Sequence, residues 1–183
     1  MHVIGFIDDN KDNHALYDFP EPFLGSIESH EINPKAVYLM GIANVKYRRP
    51  IVETLKGKGA RFVSLVHPTA IISPSATIGE GCVISHNASV GPKARIGNFN
   101  ILNSRCTIGH DTQIGDYNFI GPQVVLSGFT IVGDDNMFGV NSATIPQVQI
   151  GNRNTIAAGM IITKTTGDAE THFFRFKEKI IIG

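Results

Sequence analysis

His110 stands two residues after Ile108 in the stretch Ile108-Gly109-His110-Asp111-Thr112-Gln113-Ile114-Gly115-Asp116. An imidazole titrates near pH 6.5, so a neutral histidine can take up a proton at neutral pH, and histidine is the side chain most often used for that work. Stepping by eighteen residues, the same position holds Pro74, Pro92, Gly128 and Pro146. A histidine in a column otherwise made of proline and glycine interrupts a purely structural pattern. The residues by themselves leave two readings open: a proton-transfer group, or an exposed polar corner residue.

The other candidates for chemistry are weaker. His2, His14, His30 and His172 show no metal-ligand spacing. His67 precedes Pro68 and reads as a turn residue, and His86, two residues after Ile84, reads as a solvated corner. The only cysteines, Cys82 and Cys106, share one inward-facing repeat position and read as small core residues. A cytosolic chain would keep them reduced.

Whatever His110 does, a repeat must position it. Stepping by six from Ile72 to Ile162 meets isoleucine, leucine, valine or phenylalanine every time except at Thr144, where the neighbouring Ile145 is available to compensate. The next residue is often glycine, as at Gly79, Gly91, Gly97, Gly109, Gly115, Gly121, Gly133, Gly139 and Gly151. The residue two before is usually small, as at Ala70, Ala76, Cys82, Ala88, Ala94, Cys106, Thr112 and Ser142. Neither a helical period near 3.6 nor a long strand gives this register. A short strand and a tight bend do: the branched residue and the small one two before it both point inward, and glycine eases the turn. Three such faces close one triangular coil. Residues eighteen apart then stack at one strand spacing, about 4.8 Å, and each coil satisfies its backbone on its neighbours. The fold class is mainly β, a parallel β-helix; a run of hairpins would not hold one sixfold register over so many residues.

Before the ladder the rhythm differs. Val3 to Ile7 reads as a short strand ending in Asp8-Asp9-Asn10, and residues 11–35 read as irregular. Ala36 to Met40 reads as a second strand. Pro50 is expected to open a helix carrying Ile51, Val52 and Leu55, ended by Gly57 or Gly59, and Phe62 to Val66 reads as a third strand. That order suggests part of a small parallel α/β sheet.

The bulk numbers narrow the classes. The chain has 183 residues, 42% hydrophobic and 17% charged, which suits a folded protein rather than a disordered one. Formal net charge is zero, so no nucleic-acid or anionic-membrane partner is implied. The N-terminus lacks a basic stretch, two acids interrupt its apolar residues, and no run approaches the roughly 20 apolar residues of a membrane span. A cytoplasmic location is expected.

The ladder resembles the hexapeptide-repeat acyltransferase superfamily, whose parallel β-helix is left-handed. The stretches Ile42-Ala43-Asn44-Val45-Lys46-Tyr47-Arg48-Arg49, Gly59-Ala60-Arg61-Phe62-Val63 and His67-Pro68-Thr69-Ala70 are similar to bacterial sugar acetyltransferases of glycan biosynthesis. These include sialic acid O-acetyltransferases and N-acetyltransferases of UDP- or GDP-linked amino sugars. The resemblance implies a β-helix domain over residues 67–183 with a C-terminal cap. It also implies a truncated, Rossmann-like α/β acceptor-binding domain over residues 1–66. Those enzymes begin with an earlier strand and a glycine-rich phosphate loop, and this chain is expected to start after that unit.

Carried onto this sequence, the resemblance makes His110 the general base that takes a proton from an acceptor amine or hydroxyl. Asp111 would orient the ring, and Gly128 would offer a bare backbone N–H to the oxyanion. Acetyl-CoA would lie along Val140 and Ala158 in a groove between adjacent β-helices, which implies a homotrimer. Asp8, Asp9 and Asn44 would face a sugar or nucleotide-sugar acceptor. No metal is implied. The implied activity is acetyl-CoA-dependent acetylation of a sugar in bacterial surface-glycan synthesis. Two departures stand out: Phe119 occupies a place where several N-acetyltransferases carry a second histidine, and the usual glycine-proline-alanine-lysine-like ending is missing. The chain instead ends in the apolar and basic run from Phe173 to Gly183, whose apolar residues are expected to cap the last coil. Two other readings stay open: a non-enzymatic β-helix scaffold or binding protein, and a metal enzyme like the γ-class carbonic anhydrases. The second needs three imidazoles, two of them closely spaced, whereas His86 and His110 are the ladder's only histidines.

Overall fold

The computed structural model describes residues 2–174. From Leu65 to His172 the chain is a solenoid of about six coils, built from strands of two residues each. These form three all-parallel sheets of seven, six and five strands. Neighbouring coils pair eighteen residues apart, as in Ile120 with Leu102 and Phe138, or Ile108 with Val90 and Leu126. The second residue of each strand from Ile71–Ile72 to Ile161–Ile162 is the sixfold ladder residue. From Ile84 on, these residues are buried and pack into one core with Cys82, Ala88, Ala94 and Cys106.

The expected strand from Phe62 to Val66 belongs mostly to this solenoid. Leu65–Val66 pairs with Val83–Ile84, so the register begins one step of six before Ile72, at Val66. At the other end Thr171–His172 pairs with Thr155–Ile156 at a spacing of sixteen. Residues 175–183, onto which the cap was expected to extend, lie outside the described residues.

The corners differ from the simple glycine turn. From Ile84 to Ile150 the left-handed backbone falls three residues after each ladder position and is held by non-glycine residues, among them Phe99, Asp111, Tyr117, Phe129 and Asp135, while Gly81 and Gly159 hold it at two further corners. The glycines directly after the ladder serve close packing instead. A Cβ at Gly109 would lie 2.5 Å from the Gly128 nitrogen on the next coil. Ile145 does not stand in for the ladder break, since it is 42% exposed. Thr144 itself points inward, buried and hydrogen-bonded.

Inside one corner runs a column that residue size alone did not suggest: Asn100, Asn118, Asn136 and Asn154, all buried. The Asn118 side-chain oxygen accepts from the Asn136 backbone N–H at 2.9 Å and from the Asn136 amide at 3.0 Å. The Asn118 amide donates to Asn100 Oδ1 and to the Asp116 and Gly133 carbonyls. Each asparagine thus satisfies backbone groups on adjacent coils, the condition for burying an amide without loss. The fully buried Arg48 donates to the carbonyls of Phe99 (2.8 Å), Tyr117 (2.7 Å) and Asn118 (3.2 Å). Burial lowers its pKa to about 10, and the negative charge of Asp135 partly offsets that.

By compactness the chain divides into two units. One holds residues up to Tyr38 with Arg49–Arg61; the other holds Leu39–Arg48 with residues from Phe62 on. The first unit does not form the expected Rossmann-like sheet. Its segments meet through isolated contacts, such as the parallel bridge of Phe6 with Phe23 and the hydrogen bond from Tyr38 N–H to the Arg61 carbonyl. Two helices are described before the solenoid. Helix α1, Lys11–Ala15, is capped by the Asn10 side chain within the segment expected to be irregular. Helix α2, Val45–Gly57, begins a turn earlier than expected and carries Pro50 inside it. Asn44 explains the earlier start, because its side-chain oxygen accepts from Lys46 N–H at 3.1 Å in the manner of an N-cap. Beyond Gly57, Gly59 adopts the left-handed conformation that ends helices.

Candidate functional site

His110 follows the strand Thr107–Ile108, and the corner geometry puts Asp111 next in the left-handed conformation. That turn brings the two side chains together, with His110 Nδ1 2.9 Å from Asp111 Oδ2. The side chains are 55% and 33% exposed, so the pair is open to a ligand. With Nδ1 held as the donor to the carboxylate, Nε2 is left as the basic nitrogen. Among the described residues it has no hydrogen-bond partner.

The ring lies against Gly128, one coil on. A Cβ at Gly128 would sit 2.6 Å from His110 Nε2 and 2.8 Å from Cε1, so only glycine leaves room for the imidazole in this pose. No acceptor among the described residues takes the Gly128 N–H. Proline at positions 74, 92 and 146 of the same column shows that the ladder does not use this donor. The corner therefore offers a base nitrogen and an unspent N–H on neighbouring coils, at a separation fixed by strand spacing. Phe129 completes it, edge-on to the imidazole with ring centroids 5.0 Å apart. Its place directly after Gly128 was the sequence signal for this contact.

Ser127, just before Gly128, is the most heavily bonded backbone in the region. Its carbonyl accepts from Thr112 Oγ1 (3.1 Å) and Thr130 Oγ1 (2.7 Å), and its N–H goes to Thr144 Oγ1 (3.0 Å). Sequence reading noted Thr144 only as a gap in the apolar ladder.

The remaining expected residues sit elsewhere. Val140 and Ala158 stack on one another at a different corner of the solenoid, both exposed, and the chain does not bring them to His110. Asp8, in the first unit, accepts from Asn10 N–H and the Asn13 amide, while Asp9 accepts from Ile27 N–H. Asp9 also borders an open cavity of about 390 Å³ with Ile27, Glu28, Pro50, Ile51, Thr54 and Lys58. Asn44 is spent in part on capping α2. Both cysteines are free and buried, and burial pushes the Cys106 thiol up to about 12. Among the described residues no three histidine, cysteine, aspartate or glutamate side chains group so as to hold a metal ion. Nor is any described helix long and apolar enough to cross a membrane.

Residues 93–128 match the family described as bacterial transferase hexapeptide (six repeats), and residues 129–164 match the hexapeptide repeat of succinyl-transferase. Residues 93–164 thus carry hexapeptide repeats of the kind found in bacterial transferases. The chain is 39% identical over 57 residues to the UDP-N-acetylbacillosamine N-acetyltransferase of Bacillus subtilis (strain 168). That match covers 31% of this chain and 26% of the relative, so the chain spans about a quarter of that protein. Among solved structures it is similar to the acetyltransferase domain of PglB from Neisseria gonorrhoeae FA1090 in complex with acetyl coenzyme A. There the TM-score is 0.77 at 29% identity, over 83% of this chain and 75% of that one. It is also similar to PerB from Caulobacter crescentus in complex with CoA and GDP-perosamine, at TM-score 0.79 and 25% identity, over 82% and 74% of the two chains.

Proposed function

We propose that this protein is an acetyl-CoA-dependent N-acetyltransferase whose acceptor is the amino group of a nucleotide-linked sugar in bacterial surface-glycan synthesis. The observation that carries the reading is the His110 imidazole, anchored by Asp111 and set against Gly128 with Nε2 unspent. The similarity to an N-acetyltransferase of a UDP-sugar, and to structures holding acetyl-CoA or CoA with a GDP-sugar, supports the choice of donor and acceptor class.

Nε2 takes the proton from the acceptor amine as its nitrogen attacks the thioester carbonyl. The negative charge that develops on the carbonyl oxygen is met by the Gly128 N–H, and Asp111 stabilises the imidazolium. As the C–S bond breaks, the imidazolium returns its proton to the departing CoA thiolate. In this reading the solenoid winds left-handed and the chain forms a homotrimer. Val140 and Ala158 of one subunit then face the His110 corner of the next across a groove, which accounts for their place on different corners. The N-terminal region, with Asp8, Asp9 and Asn44, holds the acceptor.

The test is to incubate the protein with acetyl-CoA and a panel of UDP- and GDP-linked amino sugars while following free thiol. Acceptor-dependent release that falls by orders of magnitude in His110→Ala is expected. No acceptor-dependent release, or equal release from the variant, overturns the assignment and leaves a scaffold or binding protein.

A further inference from the structure

The sixfold ladder is apolar at every coil but one, and the exception lies behind the site. On the coils before and after, the residue following the ladder position donates its N–H to the ladder carbonyl of the next coil: Gly91 to Ile108, Gly109 to Leu126, Ile145 to Ile162. Ser127 departs from this. Its N–H goes to the Thr144 hydroxyl instead, and the Thr144 carbonyl takes the Ser127 hydroxyl at 2.6 Å. The parallel pairing of these strands accordingly runs through Val125 with Ala143 but not to the next pair.

One order of the hydroxyls leaves every one of them paired. The Ser127 N–H donates to Thr144 Oγ1, and because Thr130 gives its proton to the Ser127 carbonyl, Thr144 is the donor in the 3.0 Å contact with Thr130 Oγ1. The Ser127 carbonyl thus takes the Thr130 and Thr112 hydroxyls in addition to the Thr130 backbone N–H of the corner turn at 3.3 Å. Thr112, Thr130 and Thr144 are all buried. Shape does not call for their hydroxyls: Ala76, Ala94 and Val148 fill other places in the column of Thr112 and Thr130, and branched aliphatics fill the column of Thr144. Three buried hydroxyls converging on one residue are a polar network, costly unless fully paired as here.

The Ser127 carbonyl and the Gly128 N–H belong to one peptide unit. In a trans peptide the two point in opposite directions, so fixing one aims the other. We propose that Thr144, with Thr130 and Thr112, is a positioning relay. It pins the Ser127 carbonyl inward and thereby holds the Gly128 N–H outward beneath the His110 ring. This rests on the reading of Gly128 as the oxyanion donor.

The test compares Thr144→Val, which keeps volume but removes the hydroxyl, with Thr144→Ser, which restores it. Loss of an oxyanion donor costs about a hundredfold to a thousandfold in kcat, and a misaimed one costs part of that. Thr144→Val is therefore expected to lower kcat by about tenfold to a hundredfold, with KM for acetyl-CoA held within about twofold. The pH profile keeps its shape, because His110 and Asp111 are untouched. With carbonyl-13C acetyl-CoA bound, the thioester stretch moves back toward its solution frequency in Thr144→Val and returns in Thr144→Ser. Thr112→Val, which removes one of the two hydroxyl bonds to the Ser127 carbonyl, shifts kcat the same way and serves if Thr144→Val does not assemble. Wild-type kcat with an unmoved carbonyl band in Thr144→Val, or a Thr144→Ser variant no faster than Thr144→Val, overturns the relay. A fully active His110→Ala would instead bring down the reading of the site itself.

Discussion

Gly128→Ala separates packing from chemistry at this corner more cleanly than any change to His110. Gly128 is not among the residues with positive φ, so alanine fits its backbone without strain. Gly→Ala at such a position raises stability by about 0.4–1 kcal/mol through the unfolded chain, when nothing is hit. What the new methyl meets is the imidazole, at 2.6 Å from Nε2 and 2.8 Å from Cε1, against an ordinary contact of 3.4 Å or more. The ring must retreat by roughly 0.8 Å, and the half-exposed side chain can do so by swinging off its bond to Asp111. A catalytic group misplaced by about 1 Å costs on the order of a hundredfold in rate, or about 2.7 kcal/mol of barrier. The expected outcome is a folded protein that melts within a few degrees of wild type, with kcat down by about a hundredfold. Thermal unfolding and steady-state thiol release measure the two halves. A Gly128→Ala enzyme with wild-type kcat would refute the placement of the base. A collapse of the fold would show that the corner cannot accept the methyl.

Asp111→Asn should keep fold and acetyl-CoA affinity but lower kcat by about tenfold or more, since the ring loses the carboxylate that stabilises its protonated form; an unchanged kcat would remove Asp111 from the mechanism. Asn118→Ala should cost about 3–5 kcal/mol in denaturant unfolding, because buried groups on Asn136 and Gly133 lose their partners; a cost below 1 kcal/mol would mean the asparagine column is incidental. Asp168 accepts from the Asn152 backbone N–H at 2.7 Å, which holds its carboxyl below the ordinary range. A depressed carboxylate stabilises above its unfolded pKa, about 3.9, and loses that contribution as pH falls through the folded value. Melting temperatures of wild type and Asp168→Asn should therefore differ at neutral pH and converge in strong acid; a constant gap would contradict the assignment.

Much of the fold was legible because a period of six survives one-dimensional reading: each ladder residue from Ile72 to Ile162 takes the second place of a two-residue strand. The first coil was missed for a local reason, since Val63 to Val66 look like any short buried strand until Val66 is counted back from Ile72. The asparagine column was equally countable at eighteen. It went unread because a buried polar residue is intelligible only once its partners on adjacent coils are known. The N-terminal unit was misjudged because apolar runs such as Val3 to Ile7 declare a strand without declaring a neighbour to pair with. At the site, His110 stood out by type against proline and glycine, and Asp111 by adjacency. Thr144 could be seen as an exception but not explained, since the bonds that give it meaning join it to Ser127, seventeen residues away, and to Thr130, fourteen away.

The eighteen-residue register makes the molecule a modular ruler. His110 and Gly128 are separated by one coil height, a distance set by backbone pairing rather than by any loop. Duplicating or deleting a whole coil beyond Ile150 would leave that pair untouched while sliding the far end of the solenoid by about 4.8 Å. A gain or loss of one residue inside a strand would instead turn the side chains of that coil from inside to outside. Coils talk only to their neighbours, so damage in one stays local. Variation in this fold is thus quantised: the active corner tolerates change in whole turns along the axis and almost none in fractions of one.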